Sequence, residues 1–262
     1  NQAWATNDLY IDHPLGEGTY TVNVTDEESK MPINLASHDQ LAKLFEVLGV
    51  DPSDSDVIVD SVADWIDGDD LHLLNGAESD YYMSLSPPYR AKNAPLDRVE
   101  ELLMIRGVTP EIYYGLPADE KAKQDARPGL KDLVTANAAP QVNVNTASPL
   151  MLEAWLGLDE AQVQAVVNRR DGADGVAGTD DDRPFQTIDE FVGFLGGIAQ
   201  QQAGQLRQIA TVSSAFFTIT STGNSGGVKR TILATLRRDG ANITVRSDGV
   251  DVEFFHPESF RP

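Results

Sequence analysis

The sequence predicts an α+β fold, in which the two ends of the chain form an antiparallel sheet and a large all-α domain is inserted between its strands. Three observations support this prediction. Apolar and polar side chains alternate near both ends of the chain, and apolar residues recur at helical spacing in the middle. The middle also contains two stretches with the same order of predicted helices, turns and loops. We therefore assign residues 1–35 and 206–262 to a β domain and residues 36–205 to an α-domain.

The predicted strands lie at both ends of the chain. In TYTVNVT (residues 19–25), Tyr20, Val22 and Val24 alternate with polar residues, which is typical of a half-buried strand. Near the C-terminus, three segments rich in aromatic and β-branched residues are separated by the turn sequences NSGG and DG. They predict a three-stranded meander, with residues 19–25 as a fourth strand. The three segments are SSAFFTITSTG, VKRTILATLRR and NITVRS.

The predicted helices occupy the middle of the chain. Leu41, Leu44, Phe45 and Leu48 lie on one face of a helix, with Ser37 before it as a candidate N-cap. Similar apolar faces begin at Val59, Leu150, Val163 and Ile188.

Two stretches of the α-domain share one layout. Each has an Ala-Ser opening, an apolar helix, a Leu-Gly turn followed by Asp, a valine-rich helix and an acidic loop. Each then continues into a Pro-led apolar helix, APLDRVEELLMIRG or RPFQTIDEFVGFLGG. The layout resembles tandem helix-hairpin-helix modules, which in other proteins bind DNA. Here the hairpins LGVDPSDSD and LGLDEAQ place acids where a phosphate would lie, so we interpret the repeats as scaffolding.

Composition excludes several classes of partner and site. The net charge is −21, and residues 44–89 contain eleven acids but no Lys or Arg. This charge argues against nucleic acid or an anionic membrane surface as the main partner. The chain has no cysteine, which excludes disulfides and thiolate metal sites, and no apolar run long enough to span a membrane. Because it opens at NQAWATNDLY, we expect a processed or truncated product.

The loop RRDGADGVAGTDDDRPF concentrates negative charge. Between Asp171 and Asp182 it holds five aspartates and three glycines. Calcium prefers six to eight oxygen ligands, and glycines would let the loop curl around an ion, although the spacing is not that of an EF-hand. The sequence leaves two interpretations open, a calcium site or a solvated acidic loop. The candidate ligands are Asp171, Asp174, Asp180, Asp181 and Asp182.

A second acidic loop, DGDDLHLLNGAESD, occupies the equivalent position in the first repeat. It is also a candidate calcium site, and the alternative is that its acids cap helices and face solvent. Zinc is disfavoured because His72 is the only nearby nitrogen ligand. The candidate ligands are Asp67, Asp69, Asp70, Glu78 and Asp80, with Asn75 as a possible carbonyl ligand.

Catalysis has little support in the sequence. The four histidines lie in no nucleophile or metal motif, and G-x-S-x-G is absent. We expect that the protein is not an enzyme, and the alternative is a carboxylate-based hydrolase.

Four stretches together resemble one family, the minor pseudopilin K of bacterial type II secretion. They are VNVTDEESKMPINLAS, SVADWIDGDDLHLLNGAESDYY, NAPLDRVEELLMIRGVTPEIY and VNVNTASPLMLEAWLGL. Ala36 and Met31-Pro32 depart from the family pattern. The resemblance implies a pilin-like antiparallel sheet with the inserted α-domain, and one or two calcium ions in that domain.

The same resemblance implies a location and partners. The chain would be the periplasmic part of an inner-membrane protein whose anchoring N-terminal helix is absent from this sequence. It would cap the tip of the periplasmic pseudopilus together with the minor pseudopilins I and J. Secreted substrate proteins and the outer-membrane secretin are further candidate partners. The alternative function is a calcium-dependent binding or adhesion module that recognises a secreted substrate on a pilin-like scaffold.

Overall fold

A computed structural model describes residues 11–117, 126–177, 179–197, 200–240 and 242–246. Within these residues the strands are β1 (His13–Leu15), β2 (Gly18–Asp26), β3 (Met31–Pro32), β4 (Gly115–Leu116), β5 (Arg127–Pro128), β6 (Val134–Thr135), β7 (Val142–Asn143), β8 (Ala210–Thr211), β9 (Phe216–Ser225), β10 (Val228–Asp239) and β11 (Asn242–Arg246). The α-helices are α1 (His38–Val47), α2 (Pro52–Ile66), α3 (Ser79–Met83), α4 (Pro110–Tyr114), α5 (Leu130–Leu133), α6 (Pro149–Ala154), α7 (Glu160–Arg170), α8 (Ile188–Leu195) and α9 (Gln200–Ile209). Short 3-10 helices cover Glu27–Ser29, Ile33–Leu35 and Val99–Met104.

The described chain forms two compact units. The sheet unit contains residues 11–27, 166–185 and 213–246, and the helical unit contains residues 28–165 and 186–212, apart from the undescribed positions. The mixture of helices with an antiparallel sheet agrees with the predicted fold class. The boundaries predicted at residues 35 and 205, and the helix-hairpin-helix character of the repeats, stay predictions.

The sheet unit is built on a five-stranded antiparallel sheet in the order β1-β2-β9-β10-β11. The predicted fourth strand, residues 19–25, lies within β2, and the predicted meander is β9, β10 and β11. The β9–β10 hairpin turns at Gly226 and Gly227, whose φ angles of 57° and 79° are strained for residues with a side chain. A short edge strand, β1, was not predicted.

The register divides the sheet into two chemically different faces. Tyr20 pairs with Gly223, Val22 with Ser221 and Val24 with Ile219, and these rows continue into Arg230, Ile232 and Ala234 of β10. Residues that pair directly share a face, so this face is mainly apolar. The opposite face carries threonines from three neighbouring strands, at positions 21 and 25 of β2, 218, 220 and 222 of β9, and 231 and 235 of β10.

Several helices of the helical unit begin at a side-chain N-cap. The Ser37 hydroxyl accepts a hydrogen bond from the backbone N–H of Gln40, and the Gln40 side chain accepts one from the backbone of Ser37. This capping box starts α1 at the predicted residue. Helices α2, α4 and α6 begin with an Asp, Thr or Ser cap followed by Pro, which has no N–H to leave unsatisfied at the first helical position.

The core of the helical unit contains the predicted apolar faces. Leu41, Leu44 and Phe45 of α1 are buried, as are Ile58, Val59 and Val62 of α2, Met151 and Leu152 of α6, and Phe191 and Val192 of α8. The Pro-led segment after the first acidic loop forms a 3-10 helix, Val99–Met104, where an apolar helix was expected.

One amide joins three separate segments of this unit. The Asn34 side chain donates to the carbonyl oxygens of Leu96 (2.9 Å) and Ala136 (3.3 Å), and accepts from the backbone N–H of Leu96 (2.7 Å). Asn34 thus satisfies backbone groups that lie outside any regular ladder.

Replacing Asn34 with Ala should destabilise the protein by about 3 kcal/mol, because these part-buried backbone groups would lose their partners. Asn23→Ala is the control, since Asn23 is exposed and should change stability by less than about 0.5 kcal/mol. Urea unfolding followed by circular dichroism measures both, and equal stabilities for the two variants would contradict the role assigned to Asn34.

Candidate metal centre

Three carboxylates converge where α2 ends and α3 begins. Asp64 lies in the last turn of α2, Asp67 is its C-cap residue, and Glu78 is the N-cap residue of α3. One oxygen of each lies within 4.8 Å of the others. The i, i+3 spacing brings Asp64 and Asp67 to one side of the helix end, and the loop of residues 67–78 returns the chain so that Glu78 joins them.

Two of the three carboxylates are buried. Asp64 is 0% exposed and Glu78 is 1% exposed, whereas Asp67 faces solvent. Asp64 accepts the backbone N–H of Leu73 at 3.0 and 3.1 Å. Both carboxylate oxygens of Glu78 lie in the interior without a hydrogen-bond partner. A buried carboxylate without a donor is costly, so these two oxygens require a proton or a cation.

Gly76 allows this close packing. A Cβ atom at this position would overlap the Asp64 carboxylate and would lie 3.2 Å from the carbonyl oxygen of Asp60. Arg106 holds the same turn from the other side, donating to the carbonyl oxygen of Gly76 at 3.0 Å while its guanidinium lies 5.0 Å from the Tyr81 ring centre. The turn is therefore fixed on both sides.

Burial and neighbouring negative charges raise the pKa values of two acids in this site. Burial, together with the charges of Asp64 and its neighbouring aspartates, raises the pKa of Glu78 to about 7. Burial also raises the pKa of Asp64, helped by Asp67 and Asp60.

The pKa of Asp60, which lies one turn earlier on α2, is shifted in the opposite direction. Burial would raise its pKa, but hydrogen bonds from Asn75 and His38 outweigh burial and hold the pKa below its ordinary value. Asn75 donates through both its backbone and side-chain nitrogens (2.9 and 3.1 Å), and His38 Nε2 lies 3.1 Å from Oδ1.

The donor set fits a hard divalent cation. All three groups offer oxygen, the donor that calcium and magnesium prefer, and no nitrogen or sulfur atom belongs to the cluster. This fit rests on Glu78, because both of its buried carboxylate oxygens lack a hydrogen-bond partner, which a cation could replace. Within the described residues, no other group of three such side chains is close enough to bind one ion.

The structure brings together only some of the predicted ligands of this loop. Asp67 and Glu78 meet, as above. Asp69 accepts from the backbone N–H of Leu71 (2.8 Å), Asp70 from the Asn93 side chain (3.3 Å), and Asp80 from the backbone N–H of Tyr81 (2.7 Å). The side chain of Asn75, a suggested carbonyl ligand, is directed to Asp60 instead.

Sequence reasoning missed Asp64. It belongs to the segment interpreted as the second amphipathic helix, where a lone Asp is expected to face solvent. The available signal was its i, i+3 spacing from Asp67 at a helix end that has no basic residue in its last turn.

In the loop of residues 171–182, acidic side chains form ion pairs or hydrogen bonds with groups nearby in the chain. Asp171 lies 3.0 Å from Nε of Arg170, and both side chains are largely buried. Asp181 accepts from the Thr179 hydroxyl (2.7 Å) and from the backbone N–H of Ala173 (2.6 Å), and these bonds lower its pKa.

The glycines of this loop support its curl, since Gly172 has a φ of 71° and a Cβ there would overlap the Asp181 carboxylate. Asp174 accepts from the backbone N–H of Val176 at 2.9 Å, and Asp182 lies 3.3 Å from the Thr179 hydroxyl. Asp180 is exposed to solvent, and Gly178 is outside the described residues. Calcium binding by this loop stays a prediction.

An aromatic cluster lies beside the carboxylates. Trp65 and Tyr82 are buried, with their rings 5.1 Å apart and edge-on, and Tyr89 stacks on Tyr82 at 5.2 Å. Burial raises the pKa of Tyr82 to about 12.

Two family profiles match the chain, and both are described as type II secretion system (T2SS), protein K. One covers residues 20–117 and the other residues 142–215, which together exceed half of the chain. The chain belongs to the protein K family of the type II secretion system. The four stretches that suggested this family in the sequence all lie within or overlap the matched regions.

Curated relatives carry the same family name. A putative type II secretion system protein K of Escherichia coli K12 is 42% identical over 86 residues, covering 31% of this chain and 26% of the relative. The Klebsiella pneumoniae protein K is 36% identical over 128 residues (49% and 36%), and the Pseudomonas aeruginosa protein K is 26% identical over 200 residues (76% and 52%). The matched regions thus span between about a quarter and a half of these relatives.

A solved structure shares the fold. The crystal structure of the GspK-GspI-GspJ complex from the enterotoxigenic Escherichia coli type 2 secretion system contains a chain that is similar with a TM-score of 0.70 and 23% identity. The similarity covers 93% of this chain and 82% of that chain. Among the residues described in this member of the protein K family, no helix has the length and apolar character needed to cross a membrane.

The pKa of Glu78 predicts a pH dependence of the metal-free protein. The ordinary pKa of a Glu is 4.5 and the folded value is about 7, so the folded state binds more protons than the unfolded state between these values. Stability should therefore fall as the pH rises from about 4.5 to about 7, and the contribution of Glu78 should level off above pH 7.

The measurement is the melting temperature in the presence of a chelator between pH 5 and 8. Glu78→Gln should remove most of the slope, because Gln has a similar shape and no charge. Glu46→Gln is a matched exposed control that should keep the slope. A rising melting temperature over this range, or an unchanged slope in Glu78→Gln, would contradict the prediction.

Proposed function

We propose that this chain is a structural component of the type II secretion machinery, a minor pseudopilin that assembles with the pseudopilins I and J at the tip of the periplasmic pseudopilus. The observation that carries the proposal is the family match over residues 20–117 and 142–215. The fold similarity to a chain of the GspK-GspI-GspJ complex supports these partners.

The two parts of the chain have different roles in this proposal. Residues 1–35 and 206–262 act as the pseudopilin β domain, which an upstream helix anchors in the inner membrane. The α-domain of residues 36–205, with its helix-hairpin-helix-like repeats as scaffold, caps the filament by obstructing the addition of a further subunit above it. The size of the helical unit supports this role. Secreted substrate proteins and the secretin are further proposed partners of this domain.

Calcium stabilises the α-domain in this proposal. Asp64, Asp67 and Glu78 would hold the ion, and its positive charge would offset the repulsion between two buried carboxylates. The loop of Asp171, Asp174 and Asp180–Asp182 is the second proposed site. Affinities of about 10⁻⁴ to 10⁻³ M are sufficient for calcium sites outside the cytoplasm.

Assembly is tested by mixing the chain with the soluble domains of pseudopilins I and J from the same bacterium. We expect one complex of equal stoichiometry in size-exclusion chromatography with light scattering. Glu78→Gln is run in parallel, so that a loss of metal binding is distinguished from a loss of assembly. A folded chain that forms no complex with I and J would overturn this function and favour the alternative, a calcium-dependent binding module.

Calcium should raise the melting temperature of chelator-treated protein. A concentration 100 times the Kd corresponds to about 2.7 kcal/mol of stabilisation. Glu78→Ala should abolish the part of the shift due to the first site, and Asp174→Asn with Asp181→Asn the part due to the second. Glu46→Ala should leave the shift intact, since Glu46 is exposed. The absence of any shift in the unmodified chain would rule out structural calcium.

A further inference from the structure

Three leucines are exposed at the tip of the loop that follows α2. The side chains of Leu71, Leu73 and Leu74 are 79%, 42% and 91% exposed. Single exposed leucines are common on protein surfaces, but three exposed leucines within four residues concentrate apolar surface in one short segment, which is typical of an interaction site. We name residues 71–74 the leucine knob.

The backbone of the leucine knob is held in place by hydrogen bonds, two of which involve buried carboxylates. The N–H of Leu73 donates to Asp64, and the N–H of the residue after the knob, Asn75, donates to Asp60 at 2.9 Å. The N–H of Leu71 donates to Asp69, whose own carbonyl oxygen accepts from Asn93 at 2.8 Å. The leucines are thus presented on a fixed backbone, which lowers the entropic cost of binding through them.

The surroundings of the leucine knob are acidic. Asp69 and Asp70 directly precede Leu71 and are exposed, as is Asp67. No Lys or Arg occurs between residues 44 and 89, and the guanidinium of Arg106 is directed to the backbone carbonyl oxygens of Asn75 and Gly76. A complementary surface must therefore combine an apolar pocket with lysine or arginine at its rim.

We propose that the leucine knob is a docking surface for a partner protein that presents an apolar patch bordered by basic side chains. The negative charge next to the knob disfavours a lipid surface, since anionic headgroups would be repelled by Asp69 and Asp70. This surface goes beyond the proposed function, which assigns no residues of this chain to a partner contact.

The probe is a fluorescein-labelled 18-residue amphipathic peptide with leucine on one face and lysine on the other. Fluorescence anisotropy at physiological salt measures its Kd for the full chain. The double variant Leu71→Ser/Leu74→Ser should bind at least tenfold more weakly. Leu35→Ser is the matched control, since Leu35 is 54% exposed in the same unit, and it should bind within twofold of the unmodified chain.

A charge pair tests the acidic part of the surface. Asp70→Asn should weaken binding severalfold and reduce its salt dependence, whereas Asp54→Asn, an equal charge change at an exposed position within α2, should not. Melting temperatures confirm that all variants are folded.

Two outcomes would overturn the proposal. Equal affinity of the leucine variants and the unmodified chain would show that the peptide binds by charge alone. Leucine-dependent sedimentation with vesicles of equal phosphatidylglycerol and phosphatidylcholine, without leucine-dependent peptide binding, would assign the knob to lipid.

Discussion

The helical unit depends on one constraint, the close approach of two carboxylates in its interior. Asp64 and Glu78 are both buried, and burial raises the pKa of each. Like charges at such short range repel by several kcal/mol at the effective dielectric of a protein. The end of α2, the turn at Gly76 and the start of α3 must therefore be arranged around a proton or a cation that neutralises this pair.

The two acidic loops differ in how their carboxylates are stabilised. In residues 171–182, Arg170, Thr179 and backbone N–H groups satisfy carboxylates, so these acids have partners from the protein itself. In residues 67–78 the backbone donors serve Asp60, Asp64 and Asp69, and Glu78 receives none. Similar composition and equivalent places in a repeat thus do not imply similar electrostatics.

Periodicity predicted the sheet and the main helices, because a buried face imposes a repeat of two or 3.6 residues on the sequence. The cap at Ser37 and the strand around Val22 are examples. The site was predicted only in part. Asp67 and Glu78 were named, but Asp64 was not, and Asp69, Asp70 and Asp80 proved to bind nearby backbone or side-chain groups. Which acids converge depends on the path of an irregular loop, and that path follows from hydrogen bonds such as those of Asn93 and Arg106, which lie far away in sequence.

The ends of α2 and α7 have a further consequence. A helix carries the negative pole of its macrodipole at its C-terminus, where cations stabilise it and anions do not. Helix α7 ends in Arg169 and Arg170, whereas α2 has no basic residue in its last turn and carries Asp64 there, with Asp67 as its cap. A cation bound at this end would complete α2 as the arginines complete α7. The ion would then act as a removable helix cap, and the last turn of α2 is where the helix should fray first when the ion is withdrawn.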